Sequence, residues 1–217
     1  MTTVPDARPV DPELVIELLG LGTATVYEAA GLDCVLPGRL RPAWRGAAVA
    51  GPAFPVRAAP GDNLALHAAL ELVDAREVLV VDAGAHEYGY WGEVLTVAAQ
   101  MRGVAGLIID GGVRDVDRLE ELNFPVFSSC IAIRGTDKRW SGAPGDAITV
   151  DAMSISRGDL LIADADGVIV VPRGELDRVV EAARHRARNE GAYLARLRDG
   201  ELSLDIYGLR ALLKSPD

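Results

Sequence analysis

Three residues in the middle of the chain have the types and spacing to act on an oxygen-rich anion. Glu93 lies in the segment Tyr-Trp-Gly-Glu-Val-Leu, from Tyr90 to Leu95. Arg114 and Asp115 end the run Ala-Gly-Leu-Ile-Ile-Asp-Gly-Gly-Val-Arg-Asp, from Ala105 to Asp115, so the pattern is Glu, twenty intervening residues, then Arg-Asp. Arginine offers a planar fork of donors that fits a carboxylate bidentately and stays charged. Aspartate supplies a hard oxygen ligand for Mg2+ or Mn2+, ions that take one or two protein carboxylates and keep several waters. Glu93 is placed to hold one of those waters. Together the three suit a reaction in which enolate charge develops beside a carboxylate, because fixed positive charge at that point is usually the largest catalytic contribution.

The elements around these residues predict a site at a sheet edge. Gly106 to Asp110 reads as a short buried strand, apolar and β-branched at Ile108 and Ile109. Gly111 and Gly112 let the backbone take positive φ or approach a ligand closely. Val116, Leu119 and Leu122 recur at helical spacing, which puts Arg114 and Asp115 at a strand-to-helix junction, where open α/β sheets bind ligands. Glu93 opens a second helix carrying Val94, Leu95, Val97, Ala98 and Met101. The N–H groups of Gly92, Glu93, Val94 and Leu95 at its start are expected to be unpaired and to attract a carboxylate. An Arg-Asp pair after a glycine turn is also an ordinary helix start with a solvated cation, and a first-turn Glu also simply favours the helix dipole.

Further strands are predicted at 47–50, 53–58, 77–82, 126–128, 147–150, 160–163 and 168–171, the last two a hairpin through Asp-Ala-Asp-Gly. Helices are expected after the Asp11-Pro12 start, over 25–30, and after an Asp62-Asn63 cap through Leu72. A long amphipathic helix spans 174–198, weakened at Gly191, and a final one spans 204–213. The 217 residues support one large α/β domain, with no composition break that argues for two.

A net charge of −10, from 32 acidic and 22 basic residues, argues against a nucleic-acid surface or an anionic membrane as partner. A small anionic substrate stays compatible, since a local arginine and metal override the overall field. Cys34 and Cys130 are too few for a disulfide framework or a zinc site and read as reduced thiols. No apolar run approaches a membrane span or a signal core, which gives a cytoplasmic location as the expectation. Gly20-Leu21-Gly22 lacks the third glycine and the preceding strand of a dinucleotide loop. His86-Glu87 lacks a second histidine four places after the first, and His67 and His185 sit in helical segments without matched ligands. His86 falls in a loop before Gly92 and could approach a substrate. Asp82 and Asp110, at strand ends, serve either a turn or the surroundings of a metal, and Asp164 and Asp166 shape a turn.

The chain resembles the class II pyruvate aldolases acting on 4-hydroxy-4-methyl-2-oxoglutarate and 4-carboxy-4-hydroxy-2-oxoadipate, a family that also contains the regulator of ribonuclease activity A. The resemblance rests on Glu93, Arg114 and Asp115. It extends to Gly-Pro-Ala-Phe at 51–54, Pro-Gly-Asp-Asn at 60–63, Val-Val-Asp-Ala-Gly at 80–84 and the stretch 163–172. It implies a single domain of layered β/β/α swivelling type, built as trimers or pairs of trimers with sites at subunit boundaries and the C-terminal helices at 174–213 packed at an interface. It also implies that the Gly92–Leu95 segment binds the pyruvyl part, that Arg114 grips its carboxylate and 2-oxo oxygen, and that Asp115 ligates Mg2+ or Mn2+. An acidic residue of a neighbouring subunit would complete the water network, with Glu190 a candidate. The activity implied is metal-dependent retro-aldol cleavage of a small 4-hydroxy-2-oxo acid to pyruvate, with oxaloacetate decarboxylation through the same enolate. The alternative is a protein-binding regulator of an RNA-processing ribonuclease.

Overall fold

The computed structural model describes residues 10–214. Its centre is a sheet in which β2 (Val49–Arg57), β3 (Val78–Trp91), β4 (Gly106–Val113) and β5 (Val126–Ile131) run parallel. The short β1 (Arg41–Pro42) flanks β5, and β8 (Leu160–Ala163) and β9 (Val168–Val171) extend the other side antiparallel, in the order β1-β5-β4-β3-β2-β8-β9. The two ends of this sheet approach one another: the Arg41 guanidinium donates to the Asp166 carbonyl in the β8–β9 turn. The sheet is therefore nearly closed.

Alternation along the parallel strands decides what each face packs against. Leu79 and Val81, with Phe54, Val56, Leu107 and Ile109, face the helices α3 (Leu64–Leu72), α4 (Glu93–Met101) and α5 (Val116–Glu121). Val78, Val80, Ala53 and Ile108 point the other way, onto Ile148, Val150 and Ile155 of the small hairpin formed by β6 (Ile148–Val150) and β7 (Met153–Ile155). Two β layers and a helical layer result, the predicted β/β/α arrangement. A third apolar cluster joins α1 (Pro12–Leu21), α2 (Thr23–Ala30) and α6 (Leu176–Arg198) to Ile162, Ile169 and Val171.

Local signals explain most boundaries. The Asp11 side chain caps α1 through the Glu13 amide, and Gly31 ends α2 in the left-handed conformation. Asp62, rather than Asn63, supplies the side-chain bond at the start of α3, to the Leu64 amide. The predicted strands at 47–50 and 53–58 are one strand, because Pro52 faces a ladder position that Leu160 completes. β6 starts at Ile148 and has a partner, β7, that periodicity did not reveal. α6 continues through Gly191 without a break, and the last predicted helix is two pieces, α7 (Ser203–Ile206) and a 3-10 segment at Leu209–Lys214.

Two corrections matter for the site. β3 continues to Trp91, with positive φ at Gly84 and Ala85 and register shifts on either side of His86, so His86 is an exposed strand residue rather than part of a loop. β4 likewise runs to Val113, and Gly111 and Gly112 are extended members of the strand rather than a turn. Their small size serves close strand packing. A Cβ at Gly112 would lie 2.5 Å from the Tyr88 carbonyl oxygen and 2.7 Å from Ala132 Cβ, and one at Gly111 would lie 2.8 Å from Ala83 Cβ. Gly112→Ala is therefore expected to cost about 1–3 kcal/mol by forcing β3 and β4 apart; urea unfolding measures this, and an unchanged midpoint would contradict the packing.

Candidate functional site

The carboxyl ends of β3 and β4 bring the three predicted residues together. Trp91 pairs with Val113 in the ladder, and the Arg114 amide donates to the Trp91 carbonyl at 2.9 Å, which fixes where both chains leave the sheet. Trp91 is fully buried, stacked on Phe124 and hydrogen-bonded to Thr96, so its ring braces the wall. Immediately beyond, Asp115 adopts φ 57° and ψ 37°, a left-handed conformation at the start of α5, stabilised where its carbonyl accepts from Arg118 and Leu119. Its side chain turns across to α4: Oδ2 accepts from the Glu93 amide at 3.0 Å.

Gly92 makes this contact possible. Its backbone is extended and within reach of any residue, but a Cβ there would stand 2.3 Å from Asp115 Oδ2 and 3.0 Å from Arg114 Cγ. Gly89 plays the same part further back, where a Cβ would meet Arg114 Cδ at 3.1 Å and the Ala132 carbonyl at 2.7 Å. The Arg114 side chain lies across this glycine-lined strip, and its Nε is 3.7 Å from Asp115 Oδ2.

Of the four amides expected at the start of α4, Glu93's is taken by Asp115. Those of Val94 and Leu95 have no acceptor among the described residues and remain as anion donors. The Glu93 carboxylate points to the other side, 3.7 Å from Arg118 Nε. Arg114 thus divides two hollows. One, of about 240 Å³, is lined by Gly92, Val94, Leu95, Asn63, His67 and Lys138. The other is a shallower depression lined by Glu93, Asp115 and Arg118.

The donor set is compatible with a hard divalent ion bound through one carboxylate. Among the described residues no group of three or more His, Cys, Asp or Glu converges as a metal cage. Asp115, with one oxygen on the Glu93 amide and Oδ1 without a hydrogen-bond donor among the described residues, is a single carboxylate beside a half-exposed depression. Mg2+ and Mn2+ accept such a site because waters and substrate oxygens complete their shells.

Other sequence candidates are structural. Asp110 is buried and receives Arg39 bidentately, at 2.8 and 2.7 Å. Asp82 pairs with Arg57 and caps the Gly84 amide. Asp164 holds Thr23 by both its amide and its hydroxyl. Glu190 is paired within its own chain to Arg186 and Thr25. Cys34 is buried, Cys130 half-buried, and both are free thiols. No helix of the described residues is long and apolar enough to cross a membrane.

Asn63 and His67 stand one helical turn apart at the start of α3, read from the sequence as a cap and as a helical histidine without matched ligands, and nothing in their spacing ties them to Lys138 or Arg114. The Pro60-Gly61-Asp62-Asn63 turn gave the only hint. Burial first, and then the Lys138 ammonium, hold the His67 imidazole below its ordinary value.

An acid and a guanidinium at the carboxyl ends of adjacent parallel strands, over an open helix start, form an arrangement that can receive an anion. The chain belongs to the Aldolase/RraA family, whose RraA-like model matches residues 23–170. A relative from Halalkalibacterium halodurans, provisionally named a 4-hydroxy-4-methyl-2-oxoglutarate aldolase, is 33% identical over 167 residues, which cover 76% of this chain and 77% of the relative. One from Burkholderia multivorans with the same provisional name is 38% identical over 143 residues, 65% of this chain and 87% of its own. Among solved structures, Streptomyces coelicolor RraAS2, described as an unusual member of the RNase ES inhibitor RraA protein family, superposes with a TM-score of 0.76 at 30% identity, over 88% of this chain and 100% of that one.

Because the folded protein resists protonating His67, its unfolded state takes up the proton first. Stability is then lost as pH falls from the unfolded value through the lower folded one. Proton NMR is expected to show His67 titrating below a free imidazole and moving upward in Lys138→Met; a normal, Lys138-independent titration would contradict the placement.

Proposed function

We propose that this protein is a divalent-metal-dependent carbon–carbon lyase that cleaves a 4-hydroxy-2-oxo acid, such as 4-hydroxy-4-methyl-2-oxoglutarate, by retro-aldol reaction to give pyruvate. The observation that carries the reading is the Asp115 Oδ2 to Glu93 amide bond of 3.0 Å, which locks carboxylate, guanidinium and open helix start into one constellation. The names of the relatives from H. halodurans and B. multivorans support it. Bound Mg2+ or Mn2+ would supply Lewis-acid polarisation of the 2-oxo group.

The chain's own residues do the rest. Arg114 and the Val94 and Leu95 amides hold the substrate carboxylate, and Asp115 is the residue that would hold the ion. Glu93 lines the depression with Asp115 and orients a water that removes the proton from the C4 hydroxyl. As that oxygen becomes a carbonyl, the C3–C4 bond breaks and its electron pair forms pyruvate enolate, whose charge the Arg114 guanidinium offsets until C3 is protonated. Oxaloacetate decarboxylation generates the same enolate and is expected as a second activity.

Assembly into trimers or pairs of trimers belongs to the same proposal. It is supported by the apolar side chains left exposed along the C-terminal segment, Leu194, Leu202, Tyr207, Leu212 and Leu213.

Pyruvate release from 4-hydroxy-4-methyl-2-oxoglutarate, with Mg2+, Mn2+ or chelator, tests the reading. Asp115→Ala and Arg114→Ala are each expected to lower kcat/KM by about 10²–10³-fold or more; Arg114→Ala keeps the melting temperature because the side chain is half-exposed, whereas Asp115→Ala lowers it modestly by losing the Glu93 amide bond in a left-handed conformation. Near-normal turnover in either variant would sink the assignment. Absence of metal-dependent turnover together with specific capture of an RNA-processing ribonuclease would favour the regulator reading instead, the function in the description of the S. coelicolor neighbour.

A further inference from the structure

The shallow depression on the α5 side of Arg114 holds an unequal set of charges. Glu93 shares it with the carboxylates of Asp115, Asp117 and Glu121 and with the guanidiniums of Arg114 and Arg118. Arg114 Nε stands beside Asp115. Arg118 is the cation that faces Glu93, its Nε 3.7 Å from Glu93 Oε1. Arg118 Nη1 bonds Glu121 on its own helix, so one edge of the guanidinium is engaged there while Nε is turned towards α4.

Arg118 is fixed through its backbone to the residue that organises the site. Its amide donates to the Asp115 carbonyl at 2.9 Å, and its neighbour Leu119, fully buried, anchors α5 in the core. Asp115 Oδ2 in turn accepts the Glu93 amide. Glu93 is thus held twice by one turn of α5, at its backbone by Asp115 and at its carboxylate by Arg118. Both side chains of the Glu93–Arg118 pair are about half exposed, and an ion pair so solvated adds little to stability. Its effect is on direction, because Arg118 opposes the swing of a long, rotatable carboxylate out into solvent.

We propose that Arg118 is a positioning residue for the cleavage step, holding the Glu93 carboxylate in the depression so that the water it orients reaches the C4 hydroxyl. The assignment rests on the aldolase reading of Glu93, Arg114 and Asp115, and it separates the two activities expected of that site. In retro-aldol cleavage the C4 O–H proton passes through the water to the Glu93 carboxylate as C4 becomes a carbonyl, and the C3–C4 electron pair becomes the enolate. In oxaloacetate decarboxylation the C4 carboxylate is already ionised. The C3–C4 pair again becomes the enolate, CO2 leaves, and no hydroxyl proton is removed; in both reactions C3 is then protonated. Loss of Arg118 therefore weighs on the first reaction and not on the enolate chemistry common to both.

The test measures kcat and KM in Mg2+ for pyruvate release from 4-hydroxy-4-methyl-2-oxoglutarate and from oxaloacetate. The proteins compared are the wild type, Arg118→Met, Arg118→Lys, Glu93→Gln and the double variant Glu93→Gln with Arg118→Met. Arg118→Met is expected to lower the ratio of cleavage kcat to decarboxylation kcat by about 10-fold, a part of the ~10²–10⁴-fold that a positioned general base supplies, with the KM of the 4-hydroxy acid within about twofold. Arg118→Lys, which keeps the cation, should recover most of the ratio. In the Glu93→Gln background, Arg118→Met should change cleavage by less than about twofold, because it acts through that carboxylate. An unchanged ratio in Arg118→Met, or a comparable further loss on top of Glu93→Gln, would overturn the role of Arg118 and leave the aldolase reading standing. Absence of metal-dependent pyruvate release from the 4-hydroxy acid by the wild type would overturn both.

Discussion

The site depends on one residue held in an unfavourable conformation. Left-handed backbone costs a non-glycine residue about 1 kcal/mol, and aspartate is among the side chains that tolerate it best. Asp115 is held there because its carbonyl starts α5 and its carboxylate reaches the first amide of α4. That single side chain ties the exits of two adjacent parallel strands to the starts of two helices. It also turns Arg114 outward over the space left by Gly89 and Gly92. Adding one methyl group at Gly92 would clash with the carboxylate oxygen and displace it.

The sheet supplies the rigidity behind this contact. β3 and β4 stay in register from Val78 to Asp82, slip around His86, and re-pair at Trp91 and Val113. The slip lets β3 carry extra residues to the same height as Val113. Tyr90 and Trp91 return into the core there, Tyr90 accepting the Gly61 amide and Trp91 packed on Phe124. Burial of the two large rings opposes loosening of the strand ends, so the site residues project from a fixed edge. The loop that carries Lys138 is in turn pinned to the same edge through Asp62 and Gly89. A chain with a net charge of −10 thereby presents a local concentration of positive charge where an anion would sit.

Much of this was legible in the sequence because it is local. The Asp11-Pro12 start of α1, the turn in the β8–β9 hairpin and the uninterrupted apolar runs of β3 and β4 are each written within a few residues. The Glu93, Arg114 and Asp115 pattern was visible because both halves follow strands whose ends are neighbours in a parallel sheet. Gly111 and Gly112 misled, since glycine signals a turn and close strand contact equally well, and only the neighbouring Tyr88 carbonyl decides between them. β7 was too short for periodicity to register. Asn63 and His67 are one helical turn apart, but they meet Lys138 and Arg114 only through tertiary packing, and a helical histidine reads the same whether it faces solvent or a cavity.

In the proposed reaction Asp115 is the one carboxylate that would hold the metal ion, with substrate oxygens completing its shell. Mn2+ titration followed by electron paramagnetic resonance, with and without pyruvate, reads this directly in the wild type and in Asp115→Ala. Pyruvate is expected to tighten Mn2+ binding in the wild type, and the variant to lose both the binding and the tightening. Mn2+ binding indifferent to pyruvate and unchanged by Asp115→Ala would contradict it.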